Sequence, residues 1–572
     1  MPNLSSFPDL TKLLRAAVGR DAGDDASAWA VVDLHGAYPT RHGRQLEALL
    51  GRSETLESLT DRLDTLARLD SLQGVLVRVI NLTAGLVTCE AIAHALGRLQ
   101  EHRRVVVYLP QVGMRSLLVA SGVREVVAPE SADVMLPGFA AERVFYGEFL
   151  SRRGIGFENL RIREYKSALT RFSDDHMDDF EREQLTAYID SAERSWRSAV
   201  TREGAGEAVT GEGAGEGAGE AVTGEEAAEA VRGEGAQAVD WLDAGFTNAA
   251  QLVDAGLITR VAYDDEIAAP ADEDWGRSIA FVRAQLAGRL HVKKQEGIAV
   301  IPVLGTIVSG RSRPAGPLLA GQTSGSETVV AALRRAERDE LTKAIVLLVD
   351  SGGGSALASD VICRAVARCA KPVVAVMGEV AASGGYYVLA RADHVVASPF
   401  TVTGSIGVVV GKPVLTDLNG RIGRNPESVG RDMALFGSPN RPFTEAERAW
   451  AERMMDEAYG RFLTQVAEGR RLSRERVDDL GRGRIWSGAD AHERGLVDEL
   501  GDLSSALAAA RRLAGLPDDA PVRPPSTSFA LPGVPVFGKD PAAAVASAAL
   551  AAVWPFGDER VLTWFDSALT IR

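Results

Sequence analysis

The stretch Met377–Val410, MGEVAASGGYYVLARADHVVASPFTVTGSIGVVV, decides how the rest of the chain is interpreted. It continues an apolar run, Pro372–Val376, that predicts a buried strand. Small residues then predict a turn at Ala381–Gly385, and Tyr386–Ala390 predicts the start of a helix. Ser383 lies in this turn, where the first helical N–H groups lack partners and favour negative charge. Ser383 is therefore a candidate nucleophile, and the alternative is a helix cap whose glycines permit tight packing.

The composition is typical of a globular protein with two or more domains. The chain has 572 residues, of which 46% are hydrophobic and 25% are charged. Its net charge of −15 argues against a nucleic-acid partner. It contains three cysteines, an odd number without paired spacing, which indicates neither a disulfide framework nor a zinc site. No metal or cofactor is expected.

Predicted strands and helices alternate in the same order twice along the chain, which indicates an α/β fold with parallel sheets. The first series is strand Ala28–Leu34, helix Glu54–Leu69, strand Gly74–Ile80, helix Cys89–Leu99 and strand Val105–Leu109. The second series is strand Ile298–Val303, helix Thr328–Arg338, strand Ala344–Val349, helix Ala358–Cys369 and strand Pro372–Val376. One offset of 269 residues superposes the two series, which indicates an internal duplication.

The duplication predicts two halves joined by a linker. The predicted units are an N-terminal extension (1–27), a first half (28–265), a linker helix (266–296), a second half (297–516) and a C-terminal extension (517–572). Residues 203–238 contain no aromatic residue and are rich in Gly and Glu, which predicts a disordered acidic insert in the first half. Short helices are predicted at Leu10–Val18 and Pro541–Phe556.

The two halves differ where chemistry is expected. Met114 lies opposite Ser383, and Thr83–Gly85 lies opposite the three glycines of Gly352–Gly354. A phosphate loop is one interpretation of these glycines, but the Lys-Ser/Thr ending of that motif is missing. An oxyanion hole fits better, with one N–H from Gly353 or Gly354 and another from Gly384.

A nucleophilic serine requires a base, and a lysine is the stronger candidate here. His394 is the nearest histidine in sequence, but it precedes an apolar strand and is interpreted as structural. Lysine accounts for only eight of the 63 basic residues, and the counterpart of Lys166 falls near Ala434, in a segment of the second half that has no lysine. Burial between the halves would lower the pKa of Lys166, and Ser405 could orient it. A surface lysine is the alternative.

Taken together, these motifs resemble the signal peptide peptidase A family in its double-length bacterial form. The resemblance rests on SGGYY at Ser383–Tyr387, TGSIGV at Thr403–Val408 and YKSA at Tyr165–Ala168, and it covers roughly Ala28–Leu516. It implies two tandem Clp protease/crotonase-like domains with parallel sheets flanked by helices. It also implies a Ser-Lys dyad whose lysine comes from the first half and whose serine comes from the second.

The resemblance gives each candidate residue a role. Ser383 would be the nucleophile, Lys166 the general base and Ser405 the hydroxyl that orients the lysine. Three backbone positions would donate to the oxyanion: Gly353, Gly354 and Gly384. The implied protein is a serine endopeptidase that cleaves hydrophobic peptides, such as signal-peptide remnants, and assembles as a homotetramer.

Two other functions are compatible with the same fold, since a fold does not determine an activity. One is a crotonase-like acyl-CoA enzyme, and the other is a non-catalytic scaffold. The sequence shows neither a signal peptide nor 18 uninterrupted apolar residues. The expected location is the cytoplasm or, by peripheral contact, the bacterial cytoplasmic membrane.

Overall fold

The computed structural model describes residues 28–39, 54–69, 72–201, 242, 245–267, 295–313, 322–523, 561–565 and 570–571. Four predictions fall outside these ranges, wholly or for the most part: the helix at Leu10–Val18, the acidic insert at 203–238, the linker helix at 266–296 and the helix at Pro541–Phe556. Among the described helices, none is both long enough and apolar enough to cross a membrane.

The first half contains nine strands and seven α-helices within the described residues. Its strands are β1 (Ala28–Gly36), β2 (Leu72–Leu82), β3 (Arg104–Tyr108), β4 (Gln111–Gly113), β5 (Glu125–Ala128), β6 (Asp133–Met135), β7 (Ala141–Glu142), β8 (Gly156–Arg161) and β9 (Arg260–Val261). Its helices are α1 (Leu56–Ala67), α2 (Leu86–Gln100), α3 (Met114–Ala120), α4 (Gly147–Ser151), α5 (Thr170–Ser173), α6 (Asp179–Val200) and α7 (Ala249–Asp254).

The second half and the C-terminal residues contribute the remaining described elements. The strands are β10 (Gly297–Leu304), β11 (Thr306–Val308), β12 (Thr323–Gly325), β13 (Thr342–Ser351), β14 (Gly353–Ser355), β15 (Val373–Ala382), β16 (His394–Ala397), β17 (Val402–Gly404), β18 (Val409–Val414), β19 (Ile485–Ser487), β20 (Glu499–Leu500), β21 (Val522–Arg523), β22 (Leu562–Trp564) and β23 (Thr570–Ile571). The helices are α8 (Ser326–Arg338), α9 (Ala356–Ala367), α10 (Gly384–Leu389), α11 (Thr416–Arg421), α12 (Glu445–Arg470), α13 (Arg474–Leu480), α14 (Gly488–Glu493) and α15 (Leu503–Ala514).

A parallel sheet forms the centre of each half. The first has the order β1-β2-β3-β5-β9, and the second repeats it as β10-β13-β15-β16-β20. The apolar runs that predicted these strands are buried, as expected for parallel strands covered by helices on both faces. Strands β5 and β16 begin 269 residues apart, as do β6 and β17. The α/β class with parallel sheets flanked by helices is confirmed.

Strand β15 is longer than the sequence predicted. The prediction ended it at Val376, but it continues to Ala382. Its first part pairs with β16, and its last part pairs with β17 through Val380, Ala381 and Ala382. This second partner stabilises the extension, which carries the chain directly to Ser383.

The two halves are joined by a pair of strands, one from each half, and by side chains packed in a shared core. All six residues of β8 pair antiparallel with β18 of the second half. The hydrophobic core of the first half also contains second-half side chains such as Ala382, Phe400 and Ile485. Helix α6 adds a hydrogen bond of 2.7 Å from the Tyr188 hydroxyl to the carbonyl oxygen of Phe400. These contacts hold β8, and the residues that follow it, against the turn at Ser383.

Candidate active site

Ser383 lies at a strained turn between β15 and α10. Its backbone has φ 54° and ψ −116°, a region that a residue with a Cβ rarely adopts. The turn is held by a hydrogen bond of 2.8 Å from the Ser383 N–H to the Gly404 carbonyl and one of 2.8 Å from the Tyr387 N–H to the Ser383 carbonyl. The Ser383 side chain is therefore held in one orientation, and the residue is fully buried.

The two tyrosines after the serine anchor α10 to its surroundings. The buried Tyr386 hydroxyl donates to the carbonyl oxygen of Leu496 at 2.8 Å. The Tyr387 hydroxyl donates to the Asp360 carboxylate at 2.7 Å, and its ring packs edge-on against Phe462. The SGGYY sequence thus supplies both the turn and the helix that fixes it.

Lys166 reaches Ser383 from the first half. Its Nζ lies 2.7 Å from Ser383 Oγ, 2.9 Å from Ser405 Oγ and 2.9 Å from the Ser405 carbonyl oxygen. The residue is only 1% exposed. Burial lowers the pKa of Lys166 well below its usual value, because the charged ammonium loses its hydration. The structure therefore brings the three predicted side chains together around a lysine of lowered pKa.

Hydrogen bonds fix the loop that carries Lys166 on both sides of the lysine. At its start, the Ile162 N–H donates to the Val408 carbonyl at 3.2 Å and so extends the β8–β18 pairing. Gln184 on α6 donates to the Tyr165 carbonyl at 3.0 Å, and Arg143 donates to the Ser167 carbonyl at 2.7 Å. The residues before and after Lys166 are thus fixed from two directions.

Gly483, which lies outside the predicted motifs, packs directly against Lys166. A Cβ at Gly483, which has φ +84°, would lie 2.5 Å from the Lys166 Cβ, so only glycine fits here. The next residue, Arg484, accepts a hydrogen bond of 2.7 Å at its carbonyl from the N–H of Ser405, which has φ 49°. The spaced glycines of Gly481–Arg484, GRGR, were the available sequence signal.

The glycine loop lies beside Ser383, but one predicted donor is engaged. The Gly353 N–H donates to Ser351 Oγ at 3.0 Å, so it is not free for an oxyanion in this structure. A Cβ on Gly353 would lie 2.5 Å from the Gly384 nitrogen, which places the two glycines side by side. The oxyanion roles of Gly353, Gly354 and Gly384 remain predictions, and the first of these N–H groups is engaged with Ser351 in this structure.

The other candidate groups have structural partners. His394 forms a 2.7 Å contact between its Nε2 and the Glu499 carboxylate on the neighbouring strand β20, in keeping with the structural interpretation. Cys89 and Cys363 are buried free thiols, and Cys369 is a partly buried one. Within the described part of the chain, no cluster of three or more His, Cys, Asp or Glu side chains has the arrangement of a metal site.

A buried serine in hydrogen-bond contact with a buried lysine, on a duplicated α/β fold, is an arrangement in which a lysine can activate a serine hydroxyl. The model of the family described as "Peptidase family S49" matches residues 98–227 and 366–517. The chain belongs to this peptidase family.

Three curated relatives show how far the similarity extends. The chloroplastic serine protease SPPA of Arabidopsis thaliana is 30% identical over 78% of this chain and 64% of its own length. Protease 4 of Salmonella typhi is 31% identical over 70% of this chain and 62% of its own length. A putative protease of Synechocystis is 32% identical over 39% of this chain and 76% of its own length. The chain thus spans less than two thirds of the first two relatives.

Proposed function

We propose that the chain is a serine endopeptidase with a Ser383–Lys166 dyad shared between its two halves. The observation that carries the proposal is the 2.7 Å contact between Lys166 Nζ and Ser383 Oγ inside a buried site. Membership of a peptidase family and the protease names of the relatives support the reaction class. Hydrophobic peptides as substrates, and assembly as a homotetramer, belong to the proposal through the family resemblance.

The three oxygen partners of Lys166 Nζ can accept from an ammonium, and they also accommodate a neutral amine. A neutral amine has two N–H groups and one lone pair, and Nζ has three partner atoms. When the two N–H groups donate to the carbonyl and hydroxyl oxygens of Ser405, the lone pair faces the Ser383 hydroxyl. Ser405 therefore orients the lysine so that it accepts a proton from Ser383.

The reaction would proceed in two stages. Lys166 takes the proton of Ser383 Oγ as the oxygen bonds to the substrate carbonyl carbon, and backbone N–H groups near Gly354 and Gly384 stabilise the oxyanion. The C–N bond then breaks, and the lysine ammonium returns its proton to the leaving amine. In the second stage Lys166 takes a proton from water as the water oxygen bonds to the ester carbonyl carbon. The C–Oγ bond then breaks, the acid leaves, and Lys166 returns the proton to Ser383 Oγ.

The test is labelling with a fluorophosphonate, followed by mass spectrometry of the modified residue. Labelling is expected at Ser383, with a rate that rises with pH until Lys166 loses its proton, at a pH below that of an ordinary lysine. Lys166→Ala should reduce the labelling rate by about a thousandfold or more, because the base is gone. The matched control is Lys343→Ala, at a lysine that is 38% exposed and paired with Glu296, which should label like the wild type.

Other outcomes would reject the dyad. Labelling of Ser383 that survives Lys166→Ala would require another base. Absence of labelling in the wild type and in every variant of the chain, despite folded circular dichroism spectra, would favour the scaffold or the acyl-CoA enzyme. Binding of an adenine nucleotide by that unlabelled chain would then select the acyl-CoA enzyme.

A further inference from the structure

A short piece of the C-terminal extension lies in the sheet beside the candidate site. We define the C-terminal segment as Val561–Phe565, which contains β22. The strand order of this sheet is β12-β11-β14-β22-β18-β8, so the segment lies between the glycine strand β14 and the inter-half strand β18. It is therefore inserted between the elements that carry the glycine loop and those that carry Lys166.

The segment pairs with β14 as an antiparallel strand. The Ala356 N–H donates to the Val561 carbonyl at 3.1 Å, and the Phe565 N–H donates to the Gly352 carbonyl at 2.6 Å. Gly354 lies opposite Thr563 between these two bonds, which makes it the hydrogen-bonding pair of the ladder. This backbone pairing is how an extended peptide adds to an exposed sheet edge.

The carbonyl oxygen of Thr563 lies close to both Gly353 and Gly384. A Cβ built on Gly353 would be 2.0 Å from this oxygen, and a Cβ built on Gly384 would be 2.7 Å from it. Gly384 directly follows Ser383 in the chain. A carbonyl of the segment thus lies against the glycine that follows Ser383, beside the predicted oxyanion positions.

The side chain of Leu562 fills an apolar pocket next to the lysine loop. Leu562 is 0% exposed and clusters with Ala168, Leu169 and Val409. The pocket is completed by two partly buried aromatic side chains, Phe157 and Phe172. Its lining comes from both halves, so a ligand held here crosses the same boundary as the Lys166–Ser383 contact.

We propose that the C-terminal segment is an intramolecular pseudosubstrate, which rests on the proposed peptidase function. It occupies the peptide cleft between β14 and β18 and blocks it. When it leaves, the cleft takes extended peptides that place a leucine-sized aliphatic side chain in the Leu562 pocket. The burial of both Ser383 and Lys166 agrees with a covered site, and β23 adds a second attachment by pairing with β7 of the first half.

A direct binding experiment tests occupancy without any catalysis. The probe is a fluorescein-labelled nonapeptide with the sequence of residues 559–567, ERVLTWFDS. Its Kd is measured by fluorescence anisotropy with the full chain carrying Ser383→Ala and with the same chain also carrying Leu562→Asp. The added charge should expel the tethered segment, so the probe should bind about tenfold more tightly to the double variant. The tenfold figure assumes that the tethered segment competes at an effective concentration of roughly 1 mM for a cleft that binds this sequence with a Kd of about 0.1 mM.

Two further variants guard against an unspecific effect. Leu562→Ala, which shortens the side chain without adding charge, should give an intermediate increase in affinity. Leu513→Asp, at an exposed leucine on α15, should leave the Kd unchanged. Equal Kd values for the Leu562 variants and the parent, or no binding of the probe to any of them, would overturn the proposal.

Fluorophosphonate labelling separates this proposal from the proposed function. With Ser383 intact, Leu562→Asp should accelerate the labelling of Ser383 relative to the wild type, because the cleft is open. A tenfold gain in peptide affinity without labelling of any variant would support the blocking segment and reject the dyad. Labelling at one rate in both chains would support the dyad and overturn the blocking segment.

Discussion

The turn at Met114 in the first half and the turn at Ser383 in the second are equivalent in position but not in chemistry. Each lies between a strand and a short helix, α3 or α10. At the first turn, the Met114 carbonyl accepts a hydrogen bond of 2.8 Å from the Trp196 indole, and Ser116 caps the helix through the Gly113 N–H at 2.8 Å. At the second, a strained serine faces a lysine. The same turn therefore closes a core in one half and places a serine against a lysine in the other.

The glycine loops of the two halves show the same divergence. In the second half the loop lies beside Ser383 and pairs with the C-terminal segment. In the first half the corresponding Gly85 is approached by the carboxylate of Glu379, which accepts from the Val87 and Thr88 N–H groups at 3.3 and 2.9 Å. Both loops thus present N–H groups to oxygen atoms, but the first is already filled by a side chain of the second half.

The lysine is present in the first half and absent from the equivalent place in the second, which is the reverse of the distribution of the serine. Lys166 is buried, whereas the corresponding place near Ala434 is a largely exposed turn of 3₁₀ helix at Asp432–Leu435. Each half has retained the part of the pair that the other has lost. One complete site per chain follows from this division, and exchanging residues between equivalent positions is the way to test it.

The largest effect is expected from making the second turn like the first. Ser383→Met should reduce the hydrolysis of a fluorogenic peptide by about 10⁴-fold or more, because the nucleophile is lost. The reverse change, Met114→Ser, should leave the rate within about twofold, since no lysine lies at the corresponding place. Initial rates on chains with matched circular dichroism spectra measure both. Hydrolysis by Ser383→Met, or its loss in Met114→Ser, would contradict the assignment of one site to the second half.

Sequence patterns were sufficient for the central strands and helices of each half and for bringing Lys166 to Ser383, and insufficient for the shorter strands and the surroundings of the site. The periodicity of the apolar runs predicted the strands and helices, and the reciprocal loss of serine and lysine suggested that Lys166 meets Ser383. The pairing of Thr563 with Gly354 joins residues some two hundred positions apart, and no periodic signal marks it. The bond from the Gly353 N–H to Ser351 could not be predicted either, because it depends on local geometry rather than on the number of glycines.

A second comparison concerns Asp350 and its counterpart Asn81. Burial, with Glu379 nearby, raises the pKa of Asp350 to about 6. The folded chain therefore holds more protons than the unfolded chain between the usual aspartate pKa, about 3.9, and 6, and its stability falls as the pH rises through this window. Asp350→Asn should leave the free energy of unfolding unchanged near pH 4 and raise it by up to about 3 kcal/mol at pH 7.

Urea unfolding at both pH values measures the Asp350 effect. The control is Asp456→Asn, at a carboxylate that is 65% exposed, which should shift stability equally at the two pH values. Equal changes for Asp350→Asn at pH 4 and pH 7 would mean that the buried carboxylate is not responsible. Asn81, the counterpart of Asp350 in the first half, would then have no electrostatic advantage over an aspartate.

The smallest effect is expected at the contact that fills the first glycine loop. Helix α2 begins after Gly85, which provides no side-chain cap, and Glu379 takes that role through the Thr88 N–H and hydroxyl. Glu379→Ala should lower the free energy of unfolding by about 1–2 kcal/mol, and Glu379→Gln by less, because an amide oxygen still accepts. Glu493→Ala, at an exposed carboxylate, should change it by no more than about 0.5 kcal/mol.

The Glu379 effect should depend on Asp350, since the two carboxylates repel each other. In the wild type at pH 7, Glu379→Ala loses the cap but also relieves this repulsion. In an Asp350→Asn background there is no repulsion to relieve, so the same change should be more destabilising. A double-mutant cycle by urea unfolding at pH 7 measures the difference. Additive free energies would mean that the two carboxylates act independently, and that Glu379 contributes to the first half through its hydrogen bonds alone.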